Sequence, residues 1–231
     1  MEPTAERVRE NLREVRDRMA AAAARSGRAA DAVRLVAVTK TVGVDTIRTL
    51  LATGEWDLGE NRPQQLRDRA AALAGEPIAW HFVGRLQRNK VKYVVPTAAL
   101  IHSVDSAALA EALSQRAARE GCRARCLLEV NTSGEASKGG VRPEEAAALA
   151  AAAAALPGID LAGLMTMAPI VEDAEAARPV FAALREALER VNREAVLARP
   201  LAELSMGMTQ DYEVAIEEGA TLVRVGTALF R

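Results

Sequence analysis

The chain has 231 residues, half of them hydrophobic, and 30 basic against 31 acidic side chains give a formal net charge of -1. That length supports one sizeable core, and the charge balance leaves no electrostatic footprint for nucleic acid or a membrane surface. Its two cysteines, Cys122 and Cys126, form neither a disulfide framework nor a zinc site and read as buried, inert thiols. The charged N-terminus is no signal peptide and no apolar run spans a bilayer, so a cytoplasmic protein is expected.

Residues 4–25 read as a helix that Thr4 caps, with Val8, Leu12, Val15 and Met19 at three- and four-residue steps and Ser26-Gly27 at its end. The run RLVAVTK at 34–40 is apolar at nearly every position, which suits a strand buried on both faces. A helix at 44–53 follows, and from there strand and helix alternate. Strands are expected at 56–60, 78–83, 100–104, 125–130, 161–165, 203–205 and 222–225. Helices are expected at 63–73, 89–95, 107–120, 143–156, 174–195 and 211–218. Eight strands with helical segments between them are the arithmetic of a single (β/α)8 TIM barrel, residues 1–231, with residues 1–27 as an extra N-terminal helix. A doubly wound open sheet is the rival, since alternation does not separate closed from open sheets. The first strand lacks a glycine-rich dinucleotide fingerprint, which favours the barrel.

In such a barrel the residues just after each strand share one rim, where chemistry collects. That rim would carry Lys40, Glu60-Asn61, His81 to Gly84, Asn131, Ser137 to Gly140, Met165, Ser205-Met206-Gly207-Met208 and Gly226-Thr227. Only four of the basic residues are lysines, Lys40, Lys90, Lys92 and Lys138. A lysine amine can be deprotonated and attack a carbonyl, whereas arginine keeps its proton, so Lys40 reads as a reactive amine or as a solvated turn residue. The loops after strands seven and eight are where barrels commonly hold phosphate, and here each carries a glycine and a hydroxyl. Arg224 lies within an apolar strand and needs a partner, either a rim carboxylate such as Glu60 or a ligand. His81, between Trp80 and Phe82, is a catalytic base or a hydrogen-bonded structural histidine, and His102 reads the same way. No cluster has metal-ligand spacing. An amine, a phosphate site and a buried arginine together suit a phosphorylated carbonyl compound held as a Schiff base, with pyridoxal 5'-phosphate (PLP) and a class I aldolase substrate as the candidates.

The stretches AVTK at 37–40, GEN at 59–61, WHFVGRLQRNK at 80–90, VNTSGEASKGG at 130–140, GLMTM at 163–167, LSMGMTQD at 204–211 and VRVGTALF at 223–230 resemble, in order and together, the YggS/PROSC family of PLP homeostasis proteins. The resemblance implies the barrel of alanine racemase, a fold-type III PLP-binding domain, with Lys40 as the Schiff-base lysine. It implies Ser205, Gly226 and Thr227 at the phosphate, with Met206 and Gly207 in the same loop, and Arg224 facing the pyridine nitrogen. Asn61 and His81 fall in family motifs near the cofactor. Two departures are Thr209-Gln210, in place of a small-then-acidic pair, and the end of the chain at Arg231 shortly after the last phenylalanine.

The family implies a protein that binds PLP without robust turnover and passes it to apo PLP-dependent enzymes; a monomer is expected because the chain lacks the second domain through which alanine racemase dimerises. A minimal PLP-dependent racemase is the alternative. Two-base racemisation needs a second base opposite the lysine, and Tyr93 and Tyr212 are both expected in helices rather than at the rim.

Overall fold

The computed structural model describes residues 3–135 and 138–231, so Ser137 of the expected rim lies outside the described residues. Strands β1 Arg34–Val38, β2 Asp57–Glu60, β3 Ala79–Phe82 and β4 Leu100–Val104 form the first half. Strands β5 Ala124–Glu129, β6 Ile159–Met165, β7 Glu203–Ser205 and β8 Leu222–Val225 form the second. They pair in parallel and in chain order, and β8 returns to β1 with Val36 opposite Arg224. That closing pair excludes the open doubly wound sheet.

Helix α1 Ala5–Arg25 precedes the barrel, and helices follow each strand: α2 Val44–Leu51, α3 Pro63–Ala72, α4 Val91–Val94 and α5 Ala107–Glu120 in the first half. The second half carries α6 Ala146–Ala154, α7 Arg178–Glu194 and α8 Tyr212–Glu217. Thr4 caps α1 by accepting from the Arg7 amide at 3.2 Å, and the helix buries Val8, Leu12, Val15 and Met19 while packing on α2 and α8. Three expected helices are partly 3-10: a turn at Arg88–Lys90 precedes the single turn of α4, and Pro143–Glu145 and Ala174–Ala177 precede α6 and α7. Pro143 and Pro179 lie at these starts, where a missing amide proton costs nothing because first-turn amides have no intrahelical partner.

Alternation along each strand divides the core in two. Leu35, Ala37, Leu58, Trp80, Phe82, Ile101, Leu204, Val223 and Val225 face the helices and belong to one large apolar cluster. Val36, Leu100, Leu127, Ala162, Met165 and Leu222 face inward and fill the barrel. The same alternation puts His81, His102, Ser205 and Arg224 inside the barrel, all buried. Burial of both faces explains why the β1 run carries no polar alternation.

Parity also corrects the expected partner of Arg224. Glu60 follows Leu58 on the outward face of β2 and pairs with Arg69 of α3, not with Arg224. Among the described residues no carboxylate lies within ion-pairing distance of Arg224.

Candidate functional site

The C-terminal ends of β1, β2, β3 and β8 and the loop after β7 enclose a cavity of about 380 Å³. Lys40, Asn61, Arg224, Gly226 and Thr227 line it, together with Thr41, Val38, Val83, Gly84 and Arg85. Met167, Met208, Thr209 and Gln210 complete the wall. An open, polar hollow of about 890 Å³ adjoins it on the α3 side and shares Lys40, Thr41 and Asn61.

Lys40 stands two residues beyond β1, in the turn before α2, and is exposed. Its turn is held from outside. Arg69 donates to the carbonyl of Thr39 at 2.7 Å, to the carbonyl of Val42 and to Glu60, so one guanidinium brackets the Lys40-Thr41 segment. Thr39 donates its hydroxyl to the same Glu60 oxygen at 2.5 Å. Gln65 of α3 adds a bond to the Lys40 carbonyl at 3.2 Å. Burial raises the Glu60 pKa despite the opposing pull of Thr39, Arg69 and Lys40, and its Oε2 atom is buried without a partner. Asn61 sits where the β2 and β3 ends nearly touch. A Cβ on Gly84 would lie 2.1 Å from the Asn61 carbonyl oxygen, so this position accepts only glycine as the backbone stands.

Arg224 enters from the floor. It donates to Ser205 Oγ at 2.5 Å and to the carbonyl of Thr166 at 2.9 Å. Burial lowers its pKa to about 10, while Asp211 and Glu129 act the other way from a distance. The loop after β7 is shaped by Asp211, whose Oδ1 accepts from the Met208 amide at 2.6 Å while its own amide donates back to the Met208 carbonyl at 3.1 Å. That reciprocal turn presents Thr209 and Gln210 to the cavity. Thr209 Oγ1 accepts from the Ala228 amide at 3.4 Å, which ties this loop to the Gly226-Thr227 loop.

The expected site residues therefore divide. Lys40, Asn61, Arg224, Gly226 and Thr227 come together on one cavity, whereas His81, Ser205, Met206 and Gly207 are buried off its wall. His81 lies one layer below, hydrogen-bonded to His102 and Asp57, which is the structural option for that histidine. Met206 packs into the outer apolar cluster. Gly207 has φ +91, and a Cβ there would meet the Ala215 Cβ at 2.6 Å, so this glycine serves the turn. Ser205 points its hydroxyl at Arg224 and His102.

Thr209 and Gln210, which the sequence marked only as a departure from the family pattern, and Arg85, which it marked only as part of the 80–90 motif, all line the cavity. Thr209 carries a hydroxyl four residues beyond Ser205 in the same loop, and that spacing was the available signal. Neither tyrosine reaches the cavity: Tyr212 is buried under Arg18, and Tyr93 lies beside Arg67, Lys90 and Lys92. Cys126 is buried, and burial pushes its thiol up to about 12, as expected of an inert core cysteine; Cys122 is exposed, contrary to expectation, because it follows the Gly121 cap of α5. No helix among the described residues is long and apolar enough to cross a membrane, and no metal-binding cluster occurs among them.

The family model for the alanine racemase N-terminal domain matches residues 5–231. A PLP homeostasis protein of Aquifex aeolicus is 43% identical over 221 residues, 96% of each chain. The protein of the same description from Escherichia coli K12 is 35% identical, with 96% of this chain and 95% of that one covered. Among solved structures, Synechococcus elongatus PipY with PLP bound superposes with a TM-score of 0.79 at 35% identity, covering 87% of this chain and 93% of that one. Clostridium difficile alanine racemase shares the fold, with a TM-score of 0.76 at 16% identity over 97% of this chain and 59% of its own. With this order of motifs on this barrel and relatives matched over nearly their full length, the chain belongs to the YggS/PROSC family of PLP homeostasis proteins, within the alanine racemase N-terminal domain family.

Proposed function

We propose that this protein binds PLP and serves its homeostasis, holding the cofactor as a Schiff base on Lys40 and passing it to apo-enzymes. The observation that carries the reading is that an exposed lysine and a buried arginine with no carboxylate partner among the described residues face one cavity, which the Gly226-Thr227 loop closes on the far side. The Lys40 nitrogen would form a C=N bond to the aldehyde carbon, with the carbonyl oxygen and two amine protons leaving as water. Arg224 would donate to the unprotonated ring nitrogen. A cation there disfavours ring protonation and weakens the cofactor as an electron sink. Thr209, Thr227 and the Gly226 backbone would receive the phosphate, and Asn61 would line the cavity beside Lys40.

Holding rather than turnover is supported by the wall itself. Among the described cavity-lining residues the ionisable groups are Lys40, Arg85 and Arg224, so no second base faces Lys40 across the cavity. Hand-over would use the adjoining open hollow, through which an incoming amine reaches Lys40. Ile170 and Val196 are the large apolar side chains exposed among the described residues, and they lie in separate loops, which supports a monomer.

The test is the visible spectrum of the purified protein with PLP, before and after borohydride, followed by peptide mapping. A yellow protein labelled on Lys40 is expected, with no exchange of the α-hydrogen of amino acids into solvent deuterium. Failure to take up PLP would overturn the binding reading. Rapid α-hydrogen exchange that disappears in Lys40→Ala would replace the carrier with a racemase.

A further inference from the structure

A polar path crosses the barrel interior that cofactor binding alone leaves unexplained. Asp57 opens β2 at the N-terminal rim, where its side chain is 26% exposed and lies 3.8 Å from Arg34. Its Oδ1 is 2.8 Å from His81 Nε2, and His81 Nδ1 is 2.9 Å from His102 Nε2. His102 Nδ1 is 2.8 Å from Ser205 Oγ, and Ser205 Oγ accepts from Arg224 Nη1 at 2.5 Å. The path runs from β2 through β3 and β4 to β7 and β8, and every member beyond Asp57 is buried.

The chemistry of the two ends, together with one proton on each ring, fixes the direction of the hydrogen bonds between them. A guanidinium only donates and a carboxylate only accepts. With one proton on each ring, Arg224 donates to Ser205, Ser205 to His102 Nδ1, His102 Nε2–H to His81 Nδ1, and His81 Nε2–H to Asp57. Every donor is used, and every acceptor is matched. A second proton on His81 would reverse the middle of the path, put the His102 proton on Nδ1 and turn the serine proton elsewhere. His102 Nδ1 is the acceptor that the Ser205 hydroxyl has among the described residues, so the arrangement with one proton on each ring is the one that uses every donor along the path. Burial first, and then His81, Arg224 and Arg34, push the His102 pKa well below its ordinary value.

We infer that Asp57, His81, His102 and Ser205 are positioning residues for Arg224, forming one directed chain of hydrogen bonds that fixes the guanidinium and commits the only proton of Ser205 to His102. Ser205 thereby supports the arginine and does not hold phosphate, which falls to Thr209, Thr227 and the Gly226 backbone. The inference rests on the PLP reading only for what Arg224 and these loops meet.

The chain contains only two histidines, so ring nitrogen labelling gives two spin systems. Long-range proton–nitrogen spectra of the cofactor-free protein at neutral pH should show both rings neutral and protonated on Nε2. In Asp57→Ala, water at the rim can donate or accept, and His102, two hydrogen bonds away, should become a mixture of tautomers. Asp57→Asn, whose amide oxygen still accepts from His81, should restore Nε2–H. A cationic His81, a His102 protonated on Nδ1, or a His102 ring indifferent to Asp57→Ala would overturn the inference. A second readout is the ratio of affinities for PLP and pyridoxal. Thr209→Val should lower it about tenfold, the effect of one hydrogen bond to a charged group, while Ser205→Ala should weaken both ligands alike. A loss of phosphate selectivity in Ser205→Ala would return that serine to the phosphate site. If the wild-type protein takes up no PLP, the binding reading fails while the ring spectra still decide the path.

Discussion

Replacing Arg69 by methionine tests whether the turn that carries Lys40 is held from outside the barrel. Arg69 is 11% exposed and Glu60 is fully buried, so the substitution leaves a buried carboxylate whose second oxygen already lacks a partner. It also removes the donors to the Thr39 and Val42 carbonyls. Breaking a buried pair from one side costs about 3–5 kcal/mol, a large fraction of the roughly 5–15 kcal/mol that stabilises a domain. The sign with pH follows from Glu60. Burial already raises its folded pKa above the unfolded value, and loss of Arg69 raises it further. The folded state then binds the extra proton, so the deficit is full above the folded pKa and shrinks as pH falls through it toward the unfolded value. Denaturant unfolding at neutral and acidic pH reads both effects, and borohydride trapping of PLP on Lys40 should slow in parallel. A loss below about 1 kcal/mol at neutral pH, against the expected 3–5 kcal/mol, would refute the argument. So would a deficit that grows in acid, or a Glu60→Gln/Arg69→Met double variant no more stable than Arg69→Met.

Two further outcomes follow from single positions. Gly84→Ala should destabilise the protein by about 1–3 kcal/mol in thermal unfolding and weaken PLP uptake, because its methyl group meets the Asn61 carbonyl. A thiol reagent should modify Cys122 in the native protein at once, whereas Cys126, buried with its thiol pushed up to about 12, should react only on unfolding; equal native rates would contradict that environment.

The barrel was legible because both-face burial writes itself into β1 as an apolar run from Leu35 to Val38 and into β8 as one broken by Arg224, and because a strand followed by a helix repeats at short intervals. Lys40, Arg224 and the Gly226-Thr227 loop were legible for the same reason: each departs from its local pattern at a strand end or inside a strand. The direction in which Glu60 and Ser205 point was not. It depends on the parity of each strand relative to the barrel axis, and strands of three or four residues such as β2 and β7 carry too few apolar positions to set it. The contact of His81 with His102 was hidden as well, since register between β3 and β4 is fixed by closure of the whole sheet. Thr209 stood out in the sequence only as a departure from the family pattern, because its place on the cavity wall depends on the turn that Asp211 folds beneath it.

Part-buried Arg69, beside the adjoining hollow, and buried Arg224, on the cavity floor, should respond to the same substitution in opposite ways. Arg69 is matched by a carboxylate, so its removal strands a charge. Arg224 is matched by a serine oxygen and a backbone carbonyl, both neutral, so its removal strands nothing charged. Arg224→Met gives up two hydrogen bonds of about 1.5 kcal/mol each and relieves the burial of a guanidinium, a penalty of several kcal/mol. The two contributions offset to within about 1 kcal/mol, so the cofactor-free variant should unfold near the wild-type midpoint. The difference should appear with PLP present. A ligand that binds only the folded state raises stability with concentration, and a variant without the ring-facing donor should lose most of that rise. If cofactor-free Arg224→Met loses about 3 kcal/mol or more, as Arg69→Met is expected to, then Arg224 is a structural cation with a counter-charge in solution, and the case for a ligand on the floor of this cavity fails with it.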